Sequence, residues 1–551
     1  MFDVWSLQLQ IDGQLYEGVS ALARKGGPTI DFTQTEVAGG QRIRLVLSTQ
    51  QEVRIDHCYL EGSCSSKAAD WILANGFQSW SDSRWYHPTD SIPQLRRIAR
   101  PLMGYYGDYH IPWIERGPAK VHSWSWTEWR PAGEEPLLIA SLNERNAFTC
   151  FQWLHQLQCL RVEGDCRGHQ LKGEMVLLDF VILRGELNRA YDTWTQLLDL
   201  PPLRAPQATG WTSWYQHYTN ISAEIITDNL RQMVAQSAEH TFFQIDDGYQ
   251  QAVGDWLNIK PSFPEGMAAM AAHIRQQGLQ AGLWLAPTVA DQRSDLLRKH
   301  PEWLQRNERG RPRRAGYNPM WGGWYYALNT THPGWQAYMD EVLRTVTKEW
   351  GFSLLKLDFL FTTCLYPTPH RTRAQLMHHC LVNLNKWADD AYLLGCGTPL
   401  ASGFGIFDYC RVGADIHLSW EHNLLKCLRH RERVSTVVAL RSVLARAPLA
   451  GRVWRNDPDV YLLRDENIRL SREERAIVHR INALVGELLF TSDNVGAYRD
   501  WQLEEWQKQP QWIRQRVQNI EPLTSDIFRL QTSENTYLLD LKQRKLHLHS
   551  E

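Results

Sequence analysis

Residues 354–361 read LLKLDFLF, an apolar run of strand length interrupted only by Lys356 and Asp358. Side chains alternate across a strand, so both charges point to one side while Leu355, Leu357 and Phe359 point to the other. Apolar residues on both faces mark a strand buried inside a parallel sheet. A structural ion pair is one reading of the two charges; a carboxylate placed for chemistry, with a cation beside it, is the other. Further runs of this kind are TGWTSWY, TFFQIDDGY, QAGLWLAP, AYLLGCGTP, YCRVGADIH, AGRVWRNDPDV and GELLFTSDNV, eight strands in all with LLKLDFLF. Helix-like segments such as SAEIITDNLRQMVAQS and THPGWQAYMDEVLRTVTKEW lie between them. Eight strand-then-helix units in series predict a parallel (β/α)8 TIM barrel over residues 205–495.

On either side the rhythm changes. Residues 1–204 carry short alternating runs such as WSLQLQI, IRLVLS and MVLLDFVILRG between Gly, Asn, Asp and Ser turns, which predicts an antiparallel β domain, a sandwich. The proline-rich LPPLRAPQATG at 200–210 reads as the linker to the barrel. Residues 496–551, ending in IFRLQTSENTYLLDLKQRKLHLHS, return to alternation and predict a small C-terminal antiparallel β domain. The chain is therefore multidomain, with its barrel in the middle.

A hydrophobic content of 43% supports a large core. Net charge is −2 from 59 basic and 61 acidic residues, so no global field attracts a polyanion, and nucleic acid is not an expected partner. The short basic run RGRPRR at 309–314 reads as a solvated loop. The amino-terminal MFDVWSLQLQIDG does not resemble a secretory signal, and no stretch reads as a membrane span. Ten cysteines lie scattered without a CxxC pair or zinc-ligand spacing, which points to reduced thiols and a cytoplasmic setting. Tryptophan is unusually abundant, 25 against 16 phenylalanines. Its flat apolar ring with one hydrogen-bond donor suits sugars as well as cores.

Active sites of parallel barrels form at the carboxyl ends of the strands. Those ends are acidic here: Asp246 and Asp247 in QIDDGY, Asp358 in LKLDF, Asp415 in CRVGADI, Asp457 and Asp459 in RNDPD. Two carboxylates about 5 Å apart across a sugar can cleave a glycosidic bond, one attacking the anomeric carbon and the other protonating the leaving oxygen. In that reading Asp358 is the nucleophile, kept ionised by Lys356, and Asp415 is the acid and then the base. Arg411, four residues before Asp415, is placed to hold substrate. Clustered carboxylates also suit magnesium or calcium; metal binding is the weaker account, and no metal or organic cofactor is expected. Of Asp246 and Asp247, either could cap the following turn while the other meets ligand. Asp457 and Asp459 flank a proline, where turn and helix capping is the favoured role.

Taken together, NGFQSWS, GWTSWYQHY, FQIDDGYQQAVGDWL, GLWLAP, HPEWL, LLKLDFLF, GCGTPL, CRVGADI and NDPDV resemble the α-galactosidases of glycoside hydrolase family 36, in that order from the first inferred domain through the barrel. The resemblance implies an N-terminal β-supersandwich, a catalytic (β/α)8 barrel and a C-terminal β domain, hydrolysing terminal α-D-galactosyl residues with retention. By motif, the nucleophile falls on Asp358 and the acid/base on Asp415. The family's contacts to the galactose 4- and 6-hydroxyls fall on Asp246 and Asp247, its cationic contacts on Lys356 and Arg411, and its aromatic walls on Trp284, Tyr215 and, from the first domain, Trp80. Cys396 and Gly397 fall where the clan sets space around the sugar 2-position, and a small residue there admits a hydroxyl or an acetamido group.

The expected activity is that of a retaining exo-α-galactosidase acting on small oligosaccharides of the melibiose and raffinose type. An α-N-acetylgalactosaminidase and an α-galactosyl transferase are the enzymatic alternatives, and a non-catalytic sugar-binding protein is the alternative of another class. The sequence leaves the oligomeric state open, a homo-oligomer included.

Overall fold

A computed structural model describes residues 5–18, 27–236 and 240–549. Parts of the first predicted domain (1–4 and 19–26), the end of one predicted helix (237) and the last two residues lie outside the described residues.

The amino-terminal part forms one antiparallel sheet of twelve strands. Alternation drives it: Trp5–Ile11 buries every second residue. The two layers expected of a sandwich are joined here by continuous hydrogen bonding. The reason is the 24-residue strand Gly40–Ser63, whose first part pairs with Thr29–Val37 and whose last part pairs with Trp5–Ile11. One strand thereby belongs to both layers. The sheet encloses a core of its own, with Leu7, Leu45, Leu60, Phe151 and Phe180 among its buried residues.

All eight strands expected between residues 205 and 495 are present and parallel: Ala208–Thr212, Phe242–Ile245, Gln280–Leu285, Leu354–Leu357, Tyr392–Gly395, Tyr409–Arg411, Arg455–Tyr461 in two pieces, and Leu488–Thr491. The seventh is broken at Pro458 and Asp459, with Asp459 at a φ of 76°. Its first piece pairs with Tyr409–Arg411 and its second with Leu488–Thr491, so the sheet returns towards its own start in a TIM-like arrangement. Intervening helices begin where their caps dictate. Ser222 accepts from the Ile225 N–H at the start of Ala223–Ala235, and Thr372 with Gln375 forms a capping box before Arg373–Ala388.

Two features depart from expectation. After the third strand, Val289–Asp291, Arg314–Asn318 and Gly323–Ala327 form a separate three-stranded sheet, an arm over the carboxyl end of the parallel sheet. The carboxyl-terminal segment, expected to be β throughout, starts with helices Asp500–Gln507 and Gln509–Gln515 before its four-stranded antiparallel sheet. Helical spacing explains them: Glu504 and Lys508 pair across one turn at 2.6 Å, and Trp506 turns inward to stack on His240. Among the described residues no helix is long and apolar enough to cross a membrane.

Candidate active site

The carboxyl ends of the parallel strands open into a cavity of about 550 Å³. Asp246 and Asp358 stand one residue beyond their strands, at Ile245 and Leu357, and both line it with Asp247, Lys356 and Asp415. The aromatic residues Tyr215, Trp284 and Trp80 line it too.

Asp358 is fixed by two donors, the Trp284 indole N–H to Oδ2 at 3.0 Å and the Phe359 backbone N–H to Oδ1 at 2.8 Å. Phe359 itself is left-handed, φ 56°, a strained conformation for a bulky residue. The Lys356 ammonium pairs directly with Asp246 at 2.8 Å, while its charge also acts on Asp358. Parity put the lysine on the right face; the carboxylate it meets is on a neighbouring part of the rim. Burial works to neutralise Lys356, but Asp246 overrides it and holds the ammonium charged.

Asp246 and Asp247 both line the cavity. Asp246 also accepts from Gln244 Nε2 at 2.8 Å and from the Asp247 N–H at 2.9 Å. Asp247 accepts from the Trp321 indole at 2.8 Å and Gln250 Nε2 at 2.7 Å. Burial lifts the Asp247 carboxyl to about 6 against the pull of these two donors. Trp321 comes from the arm and was not singled out from the sequence; the aromatic cluster in PMWGGWYY was the available signal.

Arg411 does not line the cavity as expected for a substrate contact. It is buried behind Asp415, pairing with Asp415 at 2.7 Å, Asp459 at 2.8 Å and Asp457 at 3.0 Å. Asp457 does accept from the Asp459 N–H within its turn, so the capping role is present, but both acids also clamp Arg411. The Tyr215 hydroxyl donates to Asp459, whose carboxyl burial lifts to about 7. Asp415, its side chain one-third exposed at 34%, is raised from its ordinary value: burial raises it, Arg411 and Lys356 pull it down, and Asp358 raises it again.

Trp80 reaches the site from the NGFQSWS loop of the first sheet. The loop is tied to the barrel by Arg446, a fully buried barrel residue, which donates across the junction to Ser79 O at 2.6 Å, Asn75 Oδ1 at 2.9 Å and Gln78 O at 3.0 Å and, within the barrel, to Val412 O at 3.0 Å. Ser79 and Thr398 exchange further bonds of 2.9 and 3.1 Å. Cys396 and Gly397 lie behind this ring and are not on the cavity wall. Gly397 has φ +54°, and a Cβ there would sit 2.8 Å from the Trp80 ring, so its smallness makes room for tryptophan. Cys396 is buried among Trp80 and Phe361, and burial pushes its thiol up, leaving it neutral. Among the described residues no group of three or more His, Cys, Asp or Glu is placed to hold a metal ion.

Residues 211–385 match the melibiase family model. An α-galactosidase of Escherichia coli is 28% identical over 128 residues, 22% of this chain and 17% of its own length. The α-galactosidase AgaA of Geobacillus stearothermophilus is 30% identical over 115 residues, 20% of this chain and 15% of its own. The aligned parts thus span less than a fifth of these relatives. The solved structure of TtGalA, an α-galactosidase from Thermus thermophilus in complex with p-nitrophenyl α-D-galactopyranoside, matches with a TM-score of 0.74 at 26% identity over 98% of this chain and 100% of that one. The crystal structure of AgaA, named as a GH36 enzyme, shares the fold at a TM-score of 0.61 and 12% identity, covering 97% and 80% of the two chains. The matched family model, the α-galactosidase relatives and the shared architecture make this chain similar to the melibiases over residues 211–385 and alike in fold to an α-galactosidase over nearly its whole length.

Proposed function

We propose that this chain is a retaining exo-α-galactosidase releasing terminal α-D-galactosyl residues from small oligosaccharides of the melibiose and raffinose type. The observation that carries the reading is the pair Asp358 and Asp415, two carboxylates with unlike surroundings on one cavity. Asp358, held by two N–H donors, attacks the anomeric carbon; Asp415, whose carboxyl is raised from its ordinary value, protonates the departing oxygen. A water then enters, Asp415 takes its proton, and the galactosyl–Asp358 ester is hydrolysed with a second inversion. Two inversions give net retention.

In this reading Asp246 and Asp247 accept from the 4- and 6-hydroxyls, with Lys356 donating beside them. Buried acceptors placed for an axial hydroxyl reject the wrong epimer by leaving polar groups unpaired. Trp284, Tyr215 and Trp80 form the walls, while Arg411, Cys396 and Gly397 act from behind them. Residues 205–495 are then the catalytic (β/α)8 barrel, 1–204 the supersandwich and 496–551 the C-terminal domain, in a cytoplasmic enzyme needing no cofactor.

Hydrolysis of paired nitrophenyl α-galactoside and α-N-acetylgalactosaminide, with proton NMR of the first anomer released, tests this. The α-anomer from the galactoside is the expected result; release mainly from the acetamido sugar moves the activity to the α-N-acetylgalactosaminidase, and a β-anomer first removes the retaining mechanism. Asp358→Ala is expected to abolish turnover and to form β-galactosyl azide when azide is added.

A further inference from the structure

Resting on the α-galactosidase reading, we propose that the mouth of the cavity accepts an alkyl chain on the leaving group, so that amphiphilic α-galactosides are substrates alongside oligosaccharides. The cavity is two-toned. Its floor carries the charged residues described above, while its mouth is ringed by Leu102, Tyr317, Met320, Leu418, Leu425 and Val434. These come from three unconnected segments: the short helix Arg100–Met103 beside the first sheet, the arm, and the chain following the sixth strand. Four are exposed, Met320 at 48%, Leu102 at 44%, Tyr317 at 39% and Val434 at 37%.

Exposed apolar side chains scattered singly need no explanation, but a cluster continuous with a binding cavity marks a surface that something apolar covers. Three polar residues on the same rim already spend hydrogen bonds within the protein. Asn318 Oδ1 accepts from the Met320 N–H at 3.0 Å, His417 Nδ1 shares a proton with Ser419 at 2.7 Å, and Arg433 is bonded to Glu421 at 2.9 and 3.0 Å. A second sugar brings hydroxyls that need partners on all sides. An alkyl chain needs only apolar surface, and the rim supplies it along the path by which an aglycone leaves Asp415.

The test is a series of methyl, propyl and hexyl α-D-galactopyranosides below their micelle concentrations. Their leaving alcohols are nearly equal in acidity, so a change in kcat/KM reports contact with the chain. About a tenfold rise from methyl to hexyl is expected, the part that a half-enclosing rim recovers of the transfer free energy of the added methylenes. In Leu102→Ser/Met320→Ser the hexyl-to-methyl ratio is expected to fall to near one, with galactose product inhibition reporting the floor of the site. A flat series in the wild-type enzyme overturns the inference while hydrolysis of the methyl glycoside leaves the α-galactosidase reading standing. Absence of hydrolysis for every member, nitrophenyl α-galactoside included, overturns both. A flat series together with an oligomer that sediments as a smaller species in the double variant assigns the rim to contact between copies of the chain, and overturns the inference too.

Discussion

Trp321→Phe separates one hydrogen bond from everything else around Asp247. The phenyl ring keeps part of the packing against Phe359, Tyr325 and Trp284, whose centroids lie 4.8, 5.1 and 6.3 Å from the indole, and the N–H to Asp247 Oδ2 is lost. A donor to a carboxylate favours the ionised form. Asp247 already stands at about 6 because burial outweighs its two donors, so losing one moves it further up. Allowing about 1.4 kcal/mol for a donor to a charged acceptor, partly replaced by water, the shift is about one pH unit, to about 7.

If ionised Asp247 is what binds the sugar hydroxyls, kcat/KM follows its ionised fraction in the free enzyme. The variant should then lose about twofold at about pH 7, about eightfold at about pH 5.5, and nothing from this source above about pH 8.5. Any change in the orientation of the carboxylate multiplies all three values equally. The ratio of variant to wild-type kcat/KM also cancels every titration the two enzymes share. Nitrophenyl α-galactoside hydrolysis across this range supplies that ratio. A ratio independent of pH would refute the reasoning, because the indole would then not be setting the acidity of a binding carboxylate.

Asp415→Asn should slow alkyl galactosides about 10²- to 10⁴-fold but spare galactosides of acidic phenols, steepening the dependence of rate on leaving-group acidity; equal losses on both would remove Asp415 as the acid. Gly397→Ala places a Cβ against the Trp80 ring at a positive φ and should cost about 1–3 kcal/mol, seen as a lowered Tm, with Trp80→Phe returning part of it. Glu144, buried against the Ser125 hydroxyl and the Thr149 N–H, is lifted by burial to about 7. The folded state therefore binds a proton more tightly than the unfolded, and the associated stability is present below its ordinary value and lost as pH rises towards about 7. Glu144→Gln should flatten that loss by about 1–3 kcal/mol between mildly acidic and mildly alkaline denaturation curves; an unchanged slope would show that Glu144 ionises freely in the fold.

The parallel strands were legible because strands buried on both faces are unbroken apolar runs, and even the interrupted seventh strand kept its signature around Pro458. Strand-end position likewise brought Asp246, Asp358 and Asp415 into view. Partnerships were not legible. Parity told which way Lys356 points, but its partner Asp246 lies 110 positions away on another strand, a choice only the closed sheet makes. Trp321 and the apolar mouth belong to an inserted arm whose docking depends on three dimensions. The helices at 500–515 were overlooked because alternating strands later in the segment coloured the reading of its start.

The same limit explains Arg411, which sequence proximity placed beside Asp415 without showing what else it holds. An arginine 2.7 Å from a carboxylate ordinarily keeps it ionised, which would be the wrong state for an acid. Here the guanidinium is shared with Asp457 and Asp459, so its pull on Asp415 is divided while burial goes on raising the carboxyl. Asp457→Asn keeps an oxygen for the Asp459 N–H but removes one of the competing charges. Arg411 then acts more fully on Asp415, whose pKa falls. Activity that needs protonated Asp415 is lost as pH rises through that pKa, so the alkaline limb of kcat/KM should move to lower pH. Breaking a buried pair also costs about 3 kcal/mol of stability, which a Tm measurement reports separately from the profile. A limb that stays in place, in a variant that is folded and active, would mean that the acidity of Asp415 is set without Asp457, by burial and Asp358 alone.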